Sequence, residues 1–375
     1  MYGRKRSIIL CNEQCKSLVD FARELEEKYG AVDIELLPII HGVSCYLPAQ
    51  EAAIMSLSKS DSVKQIEQDI IVSLPPLQPN TNMLRSWWYH SPILTKSTQQ
   101  TPWNIERVRA NLAWGSSRGK DVKVAILDTG IDYKHPDLRG NIAGGVNYIY
   151  PRYPYWDDNG HGTHVAGTVA AIDNSFGVVG VAPSVRIYAV KVLNAQGSGS
   201  LSGVLSGLQW CVNNKMQVVN MSLGTAESTS SFKTAIKAVD DAGIVIVAAA
   251  GNSGPSGSIS YPGAYPETIC VGATDDKDEL ASYSSRGPQL TLVAPGSKIY
   301  STTRSSSYGN MSGTSMATPH VAGTAALLLQ INQNLKPSEI REILTSSAEK
   351  LPGLGEHQQG AGLLKADRAC SKLTV

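Results

Sequence analysis

Four side chains of the kinds that make and break acyl bonds stand in four separate motifs of this 375-residue chain. Asp128 follows the apolar run "VKVAIL", and His161 lies in "DDNGHGTHVAGT". Asn252 lies in "AAAGNSG" and Ser315 in "NMSGTSMATPHVAG". Each alone has an ordinary structural use, Asp128 as a turn cap and Ser315 as a helix N-cap. In this order, at strand and helix ends, they spell nucleophilic acyl transfer. Ser315 attacks a carbonyl, and the start of the helix it opens favours the developing negative charge. His161 takes the hydroxyl proton and returns it to the leaving amine. Asp128 holds His161 in the right tautomer and stabilises the imidazolium. The Asn252 side-chain amide and the Ser315 backbone N–H donate to the oxyanion. His164 forms an HxxH pair with His161, but no acidic third ligand lies nearby, so the pair is not read as a metal site.

Such residues need a frame that brings strand ends together. From about Lys120 the chain carries short continuous apolar runs, "VKVAIL", "RIYAVKVL", "QVVNMSL", "IVIVAAA" and "TICVGA", which read as strands buried on both faces. Helical stretches lie between them: "GTHVAGTVAAI", "LSGVLSGLQWCVNN", "SSFKTAIKAVDDAG" and "SMATPHVAGTAALLLQINQ". The alternation predicts an α/β fold, a doubly wound parallel sheet with helices on both faces. In such folds chemistry gathers beyond the carboxyl ends of the strands. Residues 7–73 have another pattern: a strand "SIILC", a helix over 16–29, strands "VDIELLPII" and "GVSCYLP", a helix "AQEAAIMSLSK" and a last strand "VKQIEQDIIVSL". Strand–helix–strand, twice, predicts a small ferredoxin-like α+β domain.

Composition narrows the partners. A formal net charge of +1 gives no ground for a nucleic-acid or membrane partner, and a monomer is expected. The start "MYGRKRSIILCNEQC" has too short an apolar run for a signal peptide. An intracellular protein is therefore expected, with secretion through a signal absent from this sequence as the alternative. The six cysteines show no C-x-x-C spacing and read as unpaired structural thiols, with a Cys11–Cys45 or Cys15–Cys45 bridge as the lesser reading.

The blocks "AILDTGID", "NGHGTHVAGT", "MSLG", "AAAGNSG" and "GTSMATPHVAG", in this order over residues 98–370, resemble the signatures of the subtilisin family of serine proteases. The resemblance implies a serine endopeptidase with Asp128, His161 and Ser315 as triad and Asn252 as oxyanion donor. It implies a cleft that grips the substrate backbone between Gly197, Ser198 and Gly199 on one side and Ser222, Leu223 and Gly224 on the other, as an added β-strand. Ser222, Leu223, Gly224, Ala249, Ala250, Gly251 and Ser260 would line the primary pocket. No acidic residue stands on these segments, so large apolar P1 residues (those before the scissile bond) are expected. "IDNSFGVVGVAP" is similar to the family's calcium loop. A structural Ca2+ would take carbonyls of Ile172, Phe176 and Val178 and the side chains of Asn174, Asp137 and Gln99.

The front module resembles the family's propeptide, a chaperone and product-like inhibitor. The implied division is propeptide 1–77, linker 78–97 and catalytic domain 98–375, in a self-processing zymogen. Leu74-Pro75-Pro76-Leu77 would lie in the cleft, with first self-cleavage expected at Leu77–Gln78. The linker holds Trp87, Trp88 and Tyr89, which are expected to pin it to the catalytic domain. Its slack, with trimming near Tyr89 or Leu94 as the alternative fate, would let Gln99 reach the calcium loop before cleavage.

Overall fold

The computed structural model describes residues 4–76 and 98–374. Its first part is a four-stranded antiparallel sheet with strand order β2-β3-β1-β4. The strands are β1 (Arg4–Cys11), β2 (Val32–Leu37), β3 (Gly42–Pro48) and β4 (Val63–Gln68). Helices α1 (Leu18–Tyr29) and α2 (Glu51–Ser58) connect them in the predicted strand–helix–strand pattern, twice. Because side chains alternate along a strand, β1 serves two cores. Ile9 packs with Phe21, Leu25, Val43 and Leu57 inside the small unit. Ile8 and Leu10 face the other way, into a core shared with Leu201, Leu205, Leu208 and Phe232 of the large unit.

The large unit is built on a parallel sheet of seven strands, in the order β13-β12-β11-β10-β6-β8-β7. They are β6 (Lys123–Asp128), β7 (Ile142–Asn147), β8 (Arg186–Lys191), β10 (Val218–Met221), β11 (Val245–Ala249), β12 (Ile269–Thr274) and β13 (Leu292–Pro295). A short β9 (Ser198–Ser200) and a hairpin of β14 (Ile299–Thr303) with β15 (Ser307–Met311) lie outside it. Val124, Ile126, Val218 and Val247 point to one face, against helices α3 (His161–Ala170) and α6 (Thr314–Ile331). Ala125, Leu127, Val219 and Ile246 point to the other, against α4 (Leu201–Asn213) and α5 (Ser230–Asp241). Both faces are apolar because both are covered, which is why the strands read as unbroken apolar runs. From β6 the chain runs to the edge at β7, returns to β8 beside β6, and then crosses to β10 and on outward through β11 to β13. The winding thus changes direction between β6 and β10, and the carboxyl ends there are the usual place for a site.

The last predicted strand of the small unit is in fact two. β4 ends at Gln68, and β5 (Ile71–Ser73) leaves its sheet to pair antiparallel with β9. Asp69 holds the break: its Oδ1 accepts from the Ser202 N–H at 2.9 Å, at the start of α4, while Oδ2 accepts from Arg6 Nε at 2.8 Å. Glu67 does the same for α5, accepting from the backbone N–H groups of Ser230 at 2.7 Å and Ser231 at 3.2 Å. Carboxylates at these helix starts satisfy N–H groups that have no partner within the helix.

All six cysteines are buried and unpaired. Among the described residues no helix is long and apolar enough to cross a membrane.

Candidate active site

Four elements deliver the four residues to one place. Asp128 ends β6, His161 begins α3, Asn252 follows β11, and Ser315 lies in the first turn of α6. The His161 Nδ1–H donates to both Asp128 oxygens, at 2.8 and 2.9 Å, and both side chains are fully buried. With Nδ1 so engaged, Nε2 is the ring's acceptor. It is buried and has no hydrogen-bond partner among the described residues. The Ser315 hydroxyl donates at 3.1 Å to the Ser222 carbonyl rather than to His161. Asn252 Oδ1 accepts from the Thr314 N–H at 3.0 Å and the Thr314 hydroxyl at 2.9 Å. This fixes the amide with its Nδ2 turned outward.

The cleft is filled by the chain itself. β5 pairs with β9 through Ile71↔Ser200, Val72↔Gly199 and Ser73↔Ser198. On its other edge Ser73 exchanges both backbone bonds with Gly224, at 3.0 and 2.9 Å. The Leu74 N–H then donates to the Gly197 carbonyl at 2.9 Å, and Asn252 Nδ2 donates to the Pro76 carbonyl at 3.0 Å. Gly197, Ser198, Gly199 and Gly224 thus pair with residues 71–74 of the chain as an added strand. The carbonyl that Asn252 holds belongs to Pro76. Leu77 and Gln78, where cleavage was expected, lie outside the described residues, as do Trp87, Trp88, Tyr89 and Leu94.

The expected primary-pocket residues also converge. Ser222, Leu223, Ala249 and Ala250 are buried, and Gly224 and Gly251 both border Ser260. Gly251 has φ +105°, and a Cβ there would stand 2.6 Å from Ser260 Oγ, so only glycine fits.

A sequence-family model described as the Subtilase family matches residues 119–362. The chain belongs to the subtilase family. M-protease of Shouchella clausii (strain KSM-K16) is 48% identical over 278 residues, covering 74% of this chain and 71% of the relative. Subtilisin Savinase of Lederbergia lenta is 48% identical over 272 residues, 72% of this chain and 99% of the relative. Subtilisin E of Bacillus subtilis (strain 168) is 41% identical over 324 residues, 85% of this chain and 78% of the relative. This subtilase is a serine endopeptidase of the subtilisin type.

The subtilase's expected calcium donors also come together. Gln99 Nε2 lies 2.8 Å from the Ile172 carbonyl and 3.4 Å from that of Val178. Asn174 Nδ2 donates to Asp137 Oδ1 at 2.8 Å, and the Val178 N–H to Asp137 Oδ2 at 2.9 Å. The Phe176 N–H closes the turn on Asn174 Oδ1 at 2.8 Å. Gly177 has φ +65°, and a Cβ on it would collide with Asp137 Oδ2 and the Tyr308 hydroxyl. The loop can curl this tightly only around glycine.

Several supporting residues escaped sequence reasoning. Asp157 is buried before α3, where its oxygens accept from the N–H groups of Gly160 at 2.8 Å and Thr163 at 2.9 Å, and burial raises its pKa. Lys191 is buried with its Nζ on the Thr129 carbonyl at 2.6 Å, the Leu193 carbonyl at 2.9 Å and Asp158 at 2.7 Å, locking the turn after Asp128. The run "DDNG" before His161 was the available signal for Asp157; nothing local marks Lys191. His164 Nε2 donates to the Ile299 carbonyl at 2.8 Å, and burial pushes its pKa down to about 3. It ties α3 to β14.

Proposed function

We propose that this subtilase hydrolyses peptide bonds through an acyl-enzyme formed on Ser315, with His161 as base and Asp128 as its orienting carboxylate. The observation that carries this reading is the fully buried Asp128–His161 pair, whose Nε2 has no partner among the described residues, at the start of a helix that packs against the one bearing Ser315. For attack, the Ser315 hydroxyl turns from Ser222 to His161 Nε2, which takes its proton as Oγ adds to the substrate carbonyl. Asn252 Nδ2 already donates to a peptide carbonyl in the cleft, and together with the Ser315 N–H it would hold the oxyanion. His161 then gives the proton to the leaving amine, and water repeats the cycle to free the acid. Small and apolar walls at Leu223, Ala249, Ala250 and Gly251 favour large apolar P1 residues and broad specificity.

Residues 1–77 act as propeptide, 78–97 as linker and 98–375 as catalytic domain. The propeptide holds the enzyme as a zymogen, supported by β5 lying in the cleft as a substrate strand would. A structural calcium ion suits the loop chemically. Gln99, Asp137, Ile172, Asn174, Phe176 and Val178 offer oxygen atoms only, with a single formal negative charge among them, and hard oxygen donors are what Ca2+ takes. A half-turn of the Gln99 amide brings its oxygen to the carbonyls its nitrogen now meets. Bound there, the ion would cross-link the chain near Gln99 to the 172–178 loop.

The deciding experiment is the Ser315→Ala variant in the full chain. Loss of both peptide hydrolysis and labelling by an active-site serine reagent is expected. Retained hydrolysis in pure variant would remove Ser315 from the mechanism. In a peptide panel, Phe or Leu at P1 should outrun Lys or Arg; the reverse order would refute the pocket assignment.

A further inference from the structure

The segment in the cleft carries two consecutive prolines at the point where a substrate would react. We propose that Pro75 and Pro76 make this segment a resident inhibitor that the enzyme does not cut where it lies, so that the intact chain stays latent at that position. The inference rests on the serine-protease reading above and concerns how the same site is regulated.

Up to Leu74 the segment is bound as a substrate strand, with Ser73 paired to both Gly224 and Ser198 and the Leu74 N–H on the Gly197 carbonyl. Continuing the antiparallel pairing Ser73↔Gly224 by two residues sets Pro75 opposite Ser222. An ordinary residue there could donate its N–H to the Ser222 carbonyl, but proline has none. That carbonyl is taken instead by the Ser315 hydroxyl at 3.1 Å. The nucleophile's proton therefore points to a backbone oxygen, and among the described residues His161 Nε2 is left buried without a partner.

The carbonyl on Asn252 is displaced as well. It belongs to Pro76, one residue beyond the one that faces Ser222, and it receives Asn252 Nδ2 at 3.0 Å. Among the described residues it receives no bond from the Ser315 N–H. The strand anchors and the oxyanion donor thus engage the chain one residue out of step. Cutting Pro76–Leu77 requires Oγ to pass its proton to Nε2, a C–O bond to form at Pro76 and the C–N bond to Leu77 to break with that proton on nitrogen. The bound segment leaves Oγ facing away from the base and gives the carbonyl one donor of the two. Ring-fixed φ at both residues hinders the chain from sliding back into step.

Freshly purified full-length wild type, Pro75→Ala, Pro76→Leu and the double variant are incubated side by side. Each is followed by intact mass and by hydrolysis of a chromogenic peptide with Phe at P1. Wild type should yield no fragment ending at Leu74, Pro75 or Pro76; any N-terminal fragment should end beyond Pro76. The double variant, with an N–H restored opposite Ser222, should cut between residues 74 and 77 and gain peptide activity at least about tenfold faster, the worth of a backbone hydrogen bond in the reacting complex. The Pro75→Ala single variant should lie between the two, which keeps the test valid if the double variant folds poorly. Wild type producing fragments ending at Pro75 or Pro76 as fast as the variants would overturn the proposal. If no version hydrolyses the peptide or takes up a serine reagent even after a trypsin nick, the serine-protease reading fails, and this proposal falls with it.

Discussion

Asn252 acts in the cleft through one donor, and Thr314 holds the other end of its amide with a hydroxyl at 2.9 Å and an N–H at 3.0 Å. Asn252→Ala should lower kcat by about 10^2–10^3, the range known for such a donor in a subtilisin, with KM little changed. Thr314→Val removes the hydroxyl but leaves the N–H, so its loss should be clearly smaller and again fall on kcat. Equal losses would mean that the hydroxyl, not the backbone, orients the amide. The proposed reacting residues could be named from sequence because each lies in a motif whose chemistry is local: an Asp at a strand end, a His and a Ser at helix starts. Their supports were not. Lys191 reaches Thr129 and Asp158 across 62 and 33 positions of chain, a contact that only the fold creates. Pro76 looked like part of a cleavage site, and its place against Asn252 depends on a strand register that no local pattern specifies.

Among the elements, the strands of the parallel sheet that were legible are those with dense Val, Ile and Ala. "IAGGVN" in β7 escaped because two glycines dilute its apolar signal at the sheet edge, and β13 and the β14–β15 hairpin are short. The stretch from Val63 to Leu74 reads as one strand because no glycine or proline interrupts it; the break at Asp69 comes from a tertiary bond to the start of α4. Asp69→Ala leaves the Ser202 N–H and the half-buried Arg6 without that carboxylate, a loss of about 1–2 kcal/mol by the measure of other helix caps. In an uncleaved Ser315→Ala background, amide exchange at 71–74 should then quicken by roughly 5–30-fold. Unchanged exchange would mean that strand pairing alone docks the segment. Two buried histidines on the central helices set an acid limit. Burial lowers His164 in α3 to about 3 and His320 in α6 to about 4. Both fold neutral, so from about pH 6.5 down to those values the unfolded chain binds more protons, and stability falls by about 1.4 kcal/mol per pH unit for each histidine. Urea midpoints between pH 7 and pH 5 should drop accordingly, and His320→Gln should flatten the slope. A slope unchanged in that variant would assign the acid sensitivity elsewhere.

On the scale of the whole molecule, the two ends of the long stretch between Pro76 and Gln99 are both placed while the chain is uncut. Pro76 lies on Asn252 in the cleft, and the Gln99 side chain already reaches the Ile172 and Val178 carbonyls. The linker's length, read from sequence, makes this geometrically possible; that both ends are engaged at once is a property of the folded chain. The proposed calcium loop should therefore be competent before any cleavage, and an ion bound there should stabilise the uncut chain as well as the cut one. Uncleaved Ser315→Ala protein is the material to test this, because it keeps residues 1–97 attached. Calcium at about 100 times its dissociation constant adds roughly 2.7 kcal/mol to whatever folded state binds it. Added to chelator-treated protein, calcium should raise the precursor's melting temperature by several degrees, and magnesium, which demands a tighter octahedron, should not substitute. Asp137→Asn removes the site's one formal charge and should abolish most of the rise. A precursor insensitive to calcium, beside a cleaved enzyme that responds, would show that the site closes only after the chain is cut.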